Sequence, residues 1–296
     1  MKKLNIVHIA GTKGKGSTCA FLSSFLRTHG LRTGFPQKVG LYTSPDLRCI
    51  RERIQINNQP ITENMFAQYF FEVWERLTSQ ATVENKEPPR EPRYLQLLAL
   101  LAFHTFIKEN VDAAIFETHH GGEYDATNVI QSPVATGITP IGMDHVAQLG
   151  PSIEDITWHK SGIFKPGALA FSVLQSPGPT AVMKARAAKK GVQLTLVPIC
   201  PSLPGEAQAL SVPVQRENCS LALALARGFL HQTAPSQELN SADISQGANN
   251  FSWPGRFEII KDKIGACTWF LDGAHNELSL EVTARWFAVN LSKDPE

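Results

Sequence analysis

The feature that most constrains this chain is a glycine-rich segment, residues 9–17 (IAGTKGKGS), which joins an apolar run to a helical pattern. The apolar run, residues 6–10, predicts a buried strand, and residues 18–29 have the residue pattern of a helix. Three glycines allow the backbone to curl with its N–H groups inward, and the helix N-terminus adds partial positive charge. The segment therefore predicts a strand, an anion-binding turn and a helix.

Within this turn, Lys15 can reach the outer phosphates of a nucleotide and the hydroxyl of Ser17 can contact a magnesium ion. The spacing is Gly-x-x-Gly-Lys-Gly-Ser, a variant of the standard phosphate loop, because Gly16 separates the lysine from the serine. A flexible surface turn is the alternative, and the flanking strand and helix favour the nucleotide site. The candidate nucleotide-binding residues here are Gly11, Thr12, Gly14, Lys15, Gly16 and Ser17.

Composition limits the class of protein. The chain has 296 residues, of which 43% are hydrophobic and 19% charged, and a net charge of +1. This balance gives no indication of a nucleic-acid partner, and no apolar run approaches the ~18 residues of a membrane span. The N-terminus enters the first strand at once, without the pattern of a signal or mitochondrial transit peptide, so we expect a cytoplasmic protein. The five scattered cysteines are expected to be reduced packing residues.

The order of predicted elements indicates the fold. Strands alternate with helices, which is typical of a doubly wound α/β domain with a mainly parallel sheet. Residues 52–61 predict a hairpin that turns at Asn57-Asn58. The other predicted strands are 40–43, 113–118, 134–139, 168–174 and 192–197; the helices are 62–77, 94–109, 152–164, 180–190 and 218–230; the loops are 78–92, 198–213 and 232–252.

A second unit follows, so we expect domains at 1–252 and 253–296. It contains predicted strands 257–261 and 267–272 and a helix from Asn276 to about residue 287. A strand pair and one helix cannot bury a core alone. This unit is therefore expected to pack on the first domain, to pair with another chain, or to be part of an incomplete domain.

Polar residues at predicted strand ends are the candidate metal ligands. Glu117 ends one core strand, and His145 follows the next one after a short loop. Ligands bind at the carboxyl edge of a parallel sheet, where a carboxylate facing the phosphate loop can hold magnesium. Ser44, at the end of its own strand, could add a hydroxyl oxygen. The alternatives are a surface ion pair for Glu117 and a structural role for His145.

Other candidates are less specific from the residues alone. Lys160 lies within a predicted helix, where a solvated lysine is the simpler interpretation, and His119-His120 is interpreted as a loop feature. Asp272 ends a strand of the second unit, where an acid can bind a ribose hydroxyl, and Asn276 would cap the next helix. Helix capping is the alternative for this turn. Arg256 could reach a phosphate or a base, or form an ion pair between domains.

Taken together, these segments resemble the folylpolyglutamate synthases of the Mur ligase superfamily. The resemblance extends from His8 to about residue 288, and the segment Glu117-Thr118-His119-His120-Gly121-Gly122 is similar to a fungal branch. It rests on residues 8–18, 42–47 with 51–54, 121–128, 142–149 with 158–165, 253–256 and 271–276.

This resemblance implies a P-loop domain of the Mur ligase type, followed by the start of a Rossmann-like C-terminal ligase domain. It implies ATP and Mg²⁺ as cofactors, and tetrahydrofolate or its polyglutamates and L-glutamate as substrates of a monomeric tetrahydrofolate:L-glutamate γ-ligase. The implied magnesium ligands are Ser44, Glu117 and His145. Lys15, a carbamylated Lys160 and His275, beside the phosphate path, are the implied catalytic residues, and Arg256 and Asp272 the implied nucleotide-binding residues.

The chain departs from the family pattern in its substrate loop and its length. Asp46 replaces the usual histidine, residues 36–39 look inserted, and the family continues into a complete C-terminal domain. Three hypotheses follow: an active glutamate ligase, a truncated paralogue that binds nucleotide without ligation, and a ligase for another carboxylate.

Overall fold

The computed structural model describes residues 4–83, 91–262, 267–275 and 277–291. Its helices are α1 (Lys15–Thr33), α2 (Glu63–Val83), α3 (Tyr94–Lys108), α4 (Val146–Leu149), α5 (Ile153–Lys160), α6 (Pro177–Lys189), α7 (Pro213–Thr233), α8 (Ser241–Asn249) and α9 (Glu277–Leu291). Its strands are β1 (Ile6–Ala10), β2 (Val39–Tyr42), β3 (Ile54–Ile56), β4 (Gln59–Pro60), β5 (Ala113–Glu117), β6 (Ala135–Ile138), β7 (Leu169–Val173), β8 (Leu194–Val197), β9 (Glu258–Lys261) and β10 (Thr268–Leu271). Among these residues, no helix has the length and apolar character needed to cross a membrane.

Eight strands form one large sheet in the order β4-β3-β2-β5-β1-β6-β7-β8. The six strands from β2 to β8 in this order pair in parallel, and the hairpin β3–β4 extends the sheet antiparallel at one edge. The predicted mainly parallel α/β fold is therefore confirmed. Because β1 lies between β5 and β6, the loops after these three strands meet at one edge of the sheet.

Helices cover both faces of the sheet because its central strands are apolar on both sides. On one face, Val7 and Ile9 of β1 are fully buried in a core that also includes residues of α1 and α7. On the other face, Phe116 of β5 is buried with Tyr42 and with Phe106 of α3. The sheet with helices on both sides holds the loops at its carboxyl edge in fixed positions.

Several helix limits differ from the sequence prediction. Residues 241–249, predicted as loop, form α8, because Asn240 accepts a hydrogen bond from the Asp243 N–H group and residue Gly247 packs on Phe25. Helix α2 extends to Val83, so the loop predicted for 78–92 is wrong for 78–83, and residues 84–90 lie outside the described residues. Helices α6 and α7 begin earlier than predicted, at prolines 177 and 213, which fit the first turn of a helix.

The second unit has a sheet of its own. Strands β9 and β10 pair antiparallel, with Thr268 opposite Lys261 and Leu271 opposite Glu258. Helix α9 packs on this pair through Trp286, whose ring centroid lies 5.5 Å from that of Phe270. The domain boundary at 252/253 stays a prediction, and Asn276, the predicted cap of α9, lies outside the described residues.

Candidate active site

The glycine-rich loop joins β1 to α1 as predicted, and α1 begins at Lys15. Gly14 precedes the helix with φ of 81°, a left-handed conformation that favours glycine, and a Cβ there would overlap the side chain of Asn218. The N–H groups of Thr12 and Lys13 donate to the carbonyl oxygen of Pro140 at 3.0 and 3.2 Å. The loop is thus fixed to the segment after β6, while the first N–H groups of α1 have no partner inside the helix.

Two lysines meet at Gly11, the first residue of this loop. The Nζ atoms of Lys15 and Lys160 both donate to the carbonyl oxygen of Gly11, at 3.1 and 2.8 Å. Lys160 is 2% exposed at the end of α5, so its interpretation as a solvated helix lysine was wrong. Burial, aided by the positive charge of Lys15, lowers the pKa of Lys160 to about 7. At neutral pH a substantial fraction of Lys160 is therefore the unprotonated amine, which is a nucleophile.

Glu117 lies at the carboxyl end of β5, opposite Ile9 of β1 in the sheet register. It is 4% exposed, which excludes the surface ion pair considered from the sequence. Its Oε2 atom accepts hydrogen bonds from the Thr43 hydroxyl and from the Ser44 N–H group, the latter at 3.2 Å. Burial raises the pKa of Glu117, and the charge of Lys15 acts in the opposite direction. A nearby cation would therefore stabilise the carboxylate form.

His145 and Ser44 are at the same edge of the sheet. His145 precedes α4, and its ring lies edge-on to His120 with centroids 4.4 Å apart. Within the described ranges, no three His, Cys, Asp or Glu side chains are grouped so that they could hold a metal ion together. The predicted set differs from such a group because a serine hydroxyl supplies one of its three ligands.

A cavity of about 1140 Å³ brings most of the predicted residues together. It lies at the carboxyl edge of the large sheet and reaches the second unit. Gly11 and Lys160, which are hydrogen-bonded to each other, do not line this cavity. The predicted residues that line it are Thr12, Gly14, Lys15, Gly16, Ser17, Ser44, Glu117, His145, Arg256, Asp272 and His275.

The residues of the second unit are held by local contacts. Asp272 accepts hydrogen bonds from the N–H groups of Phe257 and Ala274, at 2.9 and 2.8 Å, and from the Thr283 hydroxyl at 3.0 Å. This pattern is that of a residue that organises the turn, as the capping alternative expects. Arg256 donates to the Gly255 carbonyl oxygen at 2.8 Å and forms no ion pair with another described residue, so the proposed interdomain ion pair is absent there.

His275 lies on the same turn, and its Nδ1 atom is 2.9 Å from the carbonyl oxygen of Gly273. The turn and the phosphate loop face one cavity. Trp253, which precedes β9, lies against the phosphate loop, because its Nε1 atom is only 3.1 Å from the position that a Cβ on Gly16 would occupy.

The chain is similar to known proteins along nearly its whole length. The folylpolyglutamate synthase of Neurospora crassa is 46% identical over 298 residues, which are 99% of this chain and 56% of that protein. The probable folylpolyglutamate synthase of Schizosaccharomyces pombe is 42% identical and covers 100% of this chain, with 59% of its own length matched. Over nearly its whole length, this chain is similar to folylpolyglutamate synthases. No protein-family model matches it.

Solved structures of folylpolyglutamate synthases share the fold. The apo form from L. casei has a TM-score of 0.81 at 28% identity, covering 97% of this chain and 72% of that one. The Mycobacterium tuberculosis enzyme complexed with ADP and AMPPCP also has a TM-score of 0.81, at 26% identity, covering 97% and 66%. A complex of a folylpolyglutamate synthase with AMPPCP and folate has a TM-score of 0.79 at 29% identity, covering 97% and 72%. The chain spans a little over half the length of the curated relatives that it matches.

Asn218 is a cavity residue that the sequence did not point to. It lies on α7, is 4% exposed, and donates from Nδ2 to Gln215 at 3.1 Å, while its buried Oδ1 has no hydrogen-bond partner among the described residues. A buried acceptor normally has a donor. The only sequence signal was a polar residue on the apolar face of the predicted helix 218–230.

His119 was also interpreted too simply. It is buried rather than part of an open loop, and its Nε2 atom lies 2.6 Å from the Tyr42 hydroxyl. Asp125 accepts hydrogen bonds from the N–H groups of His119 and His120, at 2.8 and 2.9 Å. Its carboxylate also lies 3.3 Å from the His119 ring. This buried network fixes the loop that follows Glu117.

Proposed function

We propose that the protein to which this chain belongs is an ATP-dependent amide ligase. It would add L-glutamate to the γ-carboxylate of tetrahydrofolyl glutamate or a tetrahydrofolyl polyglutamate. The observation that carries this proposal is a cavity lined by both the phosphate loop and a buried carboxylate, Glu117, on the neighbouring strand. The names of the relatives, and the AMPPCP and folate complexes of similar structure, support the same substrates.

In this proposal the loop Gly11–Ser17 binds the phosphates of ATP through its N–H groups, the side chain of Lys15 and the start of α1. Arg256 and Asp272 bind the rest of the nucleotide from the second unit, and His275 lies beside the phosphate path. The unpartnered oxygen of Asn218 accepts a hydrogen bond from the nucleotide. Closure of the second unit over the first domain would then shield the phosphates from water.

Ser44, Glu117 and His145 are proposed to hold Mg²⁺. The fit rests on the donor set: a carboxylate and a hydroxyl are the hard oxygen ligands that magnesium prefers, and both hydrogen bonds from described residues to Glu117 end on one of its two oxygens. The raised pKa of Glu117 indicates a carboxylate that needs a cation nearby. When bound, the ion would neutralise charge on the transferred phosphoryl group.

Lys160 is proposed to react with carbon dioxide. Its neutral amine would attack the carbon of CO₂ and lose one proton, which gives a carbamate with the charge of a carboxylate. Two observations favour this: the burial of Nζ and a pKa of about 7, which together supply the neutral amine inside the protein. The carbamate would replace a positive charge beside Lys15 by a negative one.

The chemistry explains why ATP is needed. A carboxylate is a poor electrophile, so the γ-phosphoryl group first passes to the acceptor's γ-carboxylate oxygen as the bond to ADP breaks. The amine of L-glutamate then attacks the acyl carbon, and phosphate leaves from the tetrahedral intermediate. Lys15 would stabilise the charge on the phosphoryl group during the first step.

The test is phosphate release from ATP with tetrahydrofolate and L-glutamate both present, or with either omitted. We expect release that needs both substrates and falls at least a hundredfold in Glu117→Gln. Bound ATP without substrate-dependent release would refute ligation and leave the nucleotide-binding hypothesis. Release with another carboxylate in place of the folate would identify a different acceptor. The monomeric state and the cytoplasmic location stay predictions.

A further inference from the structure

The cavity extends away from the phosphate loop along α1. Ser17, Ala20 and Arg27 line it, and because they are three and ten residues apart they lie on one face of the helix. At 1.5 Å per residue, Arg27 is about 15 Å along α1 from Ser17. The hairpin β3–β4 provides a second wall, and we call this part of the cavity the α1 arm. Its hairpin residues include Gln55, Asn58 and Gln59.

One hydrogen bond joins the two walls of the α1 arm, from the Ser23 hydroxyl to Asn58 Oδ1 at 2.5 Å. Asn57 and Asn58 have φ of 53° and 62°, so the hairpin turn has the left-handed backbone that asparagine tolerates. The N–H group of Asn57 donates to the Val39 carbonyl oxygen at 2.8 Å. The arm therefore runs from the carboxyl edge of the sheet, at the phosphate loop, towards the start of β2.

Arg53 stands at the end of the arm nearest the phosphate loop. Its carbonyl oxygen accepts from the Thr43 N–H group at 3.0 Å, and Thr43 is hydrogen-bonded to Glu117. The side chain is 10% exposed and its Nε donates to Asp46 at 2.5 Å. The buried Nη1 has no hydrogen-bond partner in the described part of the chain. A buried guanidinium nitrogen without an acceptor indicates that a ligand supplies one.

Arg27 stands at the far end of the arm. It is half-buried, forms no ion pair with any other described residue, and burial lowers its pKa. Glu52, which precedes the hairpin, also lines the cavity, and its carboxylate accepts hydrogen bonds from the N–H groups of Leu47 and Arg48 at 2.7 and 3.2 Å. The arm thus has two arginines available for acceptors and fits a ligand that has carboxylates at intervals.

We propose that the α1 arm binds the γ-glutamyl tail of the acceptor through its α-carboxylates. The proposal rests on the proposed function above. Each γ-linked glutamate keeps one free α-carboxylate, so the tail has one negative charge per residue. Arg53 binds the α-carboxylate of the reacting glutamate, and Arg27 binds that of a glutamate further back. Asp46 is a positioning residue that orients the Arg53 guanidinium, whose fork matches a carboxylate.

The test compares the dissociation constants of folate monoglutamate and folate pentaglutamate by titration calorimetry. In Arg27→Gln we expect about tenfold weaker binding of the pentaglutamate and less than twofold for the monoglutamate, as for loss of one charge-assisted hydrogen bond. Arg53→Gln weakens the binding of both folate monoglutamate and folate pentaglutamate. Arg27→Lys keeps the charge and recovers most of the pentaglutamate affinity. Arg76→Gln, at an exposed arginine on α2, is the matched control and leaves both constants unchanged.

A γ-linked triglutamate peptide separates the two proposals. If wild type binds neither folate, the proposed function fails. The inference about the α1 arm is still supported if wild type binds this peptide and Arg27→Gln weakens that binding. Equal loss of both folates in Arg27→Gln, or wild-type affinity that does not depend on tail length, overturns the inference. Thermal unfolding of each variant shows whether a loss of binding reflects a loss of fold.

Discussion

Replacing Lys160 with methionine should stabilise the protein while it removes the group proposed to form the carbamate. The pKa of Lys160 falls from 10.5 to about 7 because the side chain is buried. At about 1.4 kcal/mol per tenfold change in proton affinity, this corresponds to about 5 kcal/mol of free energy of unfolding. The variant also loses the hydrogen bond to Gly11, which is worth about 1 kcal/mol. We therefore expect a net gain of about 2–4 kcal/mol at pH 7 or below.

The sign of the pH dependence distinguishes this reasoning from simple repacking. Between pH 7 and 10.5 the unfolded chain keeps a proton on Lys160 and the folded chain does not, so wild type gains stability as pH rises through this range. The difference between wild type and Lys160→Met should shrink as the pH rises. Urea unfolding in CO₂-free buffer from pH 6 to pH 10 measures it, with Lys184→Met, at an exposed lysine of α6, as control. A difference that is independent of pH, or a less stable variant, would refute the argument.

Three further outcomes are expected. Asp125→Ala should lower the free energy of unfolding by about 3 kcal/mol at pH 7, since buried N–H groups lose their acceptor. Although burial opposes it, hydrogen bonding holds the pKa of Asp125 below its usual range, so urea unfolding should show this loss shrinking as the pH falls below about 4. Asn218→Leu should weaken ATP binding at least tenfold in calorimetry, with a stability change of about 1 kcal/mol; an unchanged affinity would exclude Asn218 from the nucleotide site. ATP should change the fluorescence of Trp253, which lies against Gly16, and a change that persists in Trp253→Phe would contradict this placement.

Sequence pattern predicted the parts of the site that follow from local chain geometry. The phosphate loop and Glu117 both lie at ends of apolar strands, and parallel pairing brings such ends to one edge. The apolar alternation and the Asn57-Asn58 turn likewise predicted the hairpin. These features can be predicted without knowing which elements pack against them.

The parts that pattern could not predict depend on tertiary burial. Lys160 is the last residue of α5, and its buried side chain reaches the Gly11 carbonyl oxygen. The residue pattern of a polar helix of eight residues does not show this contact. Asn218 and His119 are polar residues whose roles depend on elements distant in sequence, the phosphate loop and Tyr42. Helix α8 was missed because its composition is polar; its cap at Asn240 and the contact of Gly247 with Phe25 stabilise it.

The charges of Lys15, Lys160 and Glu117 together determine how the site can bind phosphate. Lys15 and Lys160 share the Gly11 carbonyl oxygen, and the positive charge of Lys15 disfavours a charge on Lys160. A carbamate on Lys160 would remove this repulsion and would leave Lys15 able to leave Gly11 and contact a phosphate. The same step would place a second anion behind the loop, across from Glu117. If so, nucleotide affinity should rise with CO₂ in wild type and should not respond to CO₂ in Lys160→Met, which calorimetry with and without bicarbonate can measure.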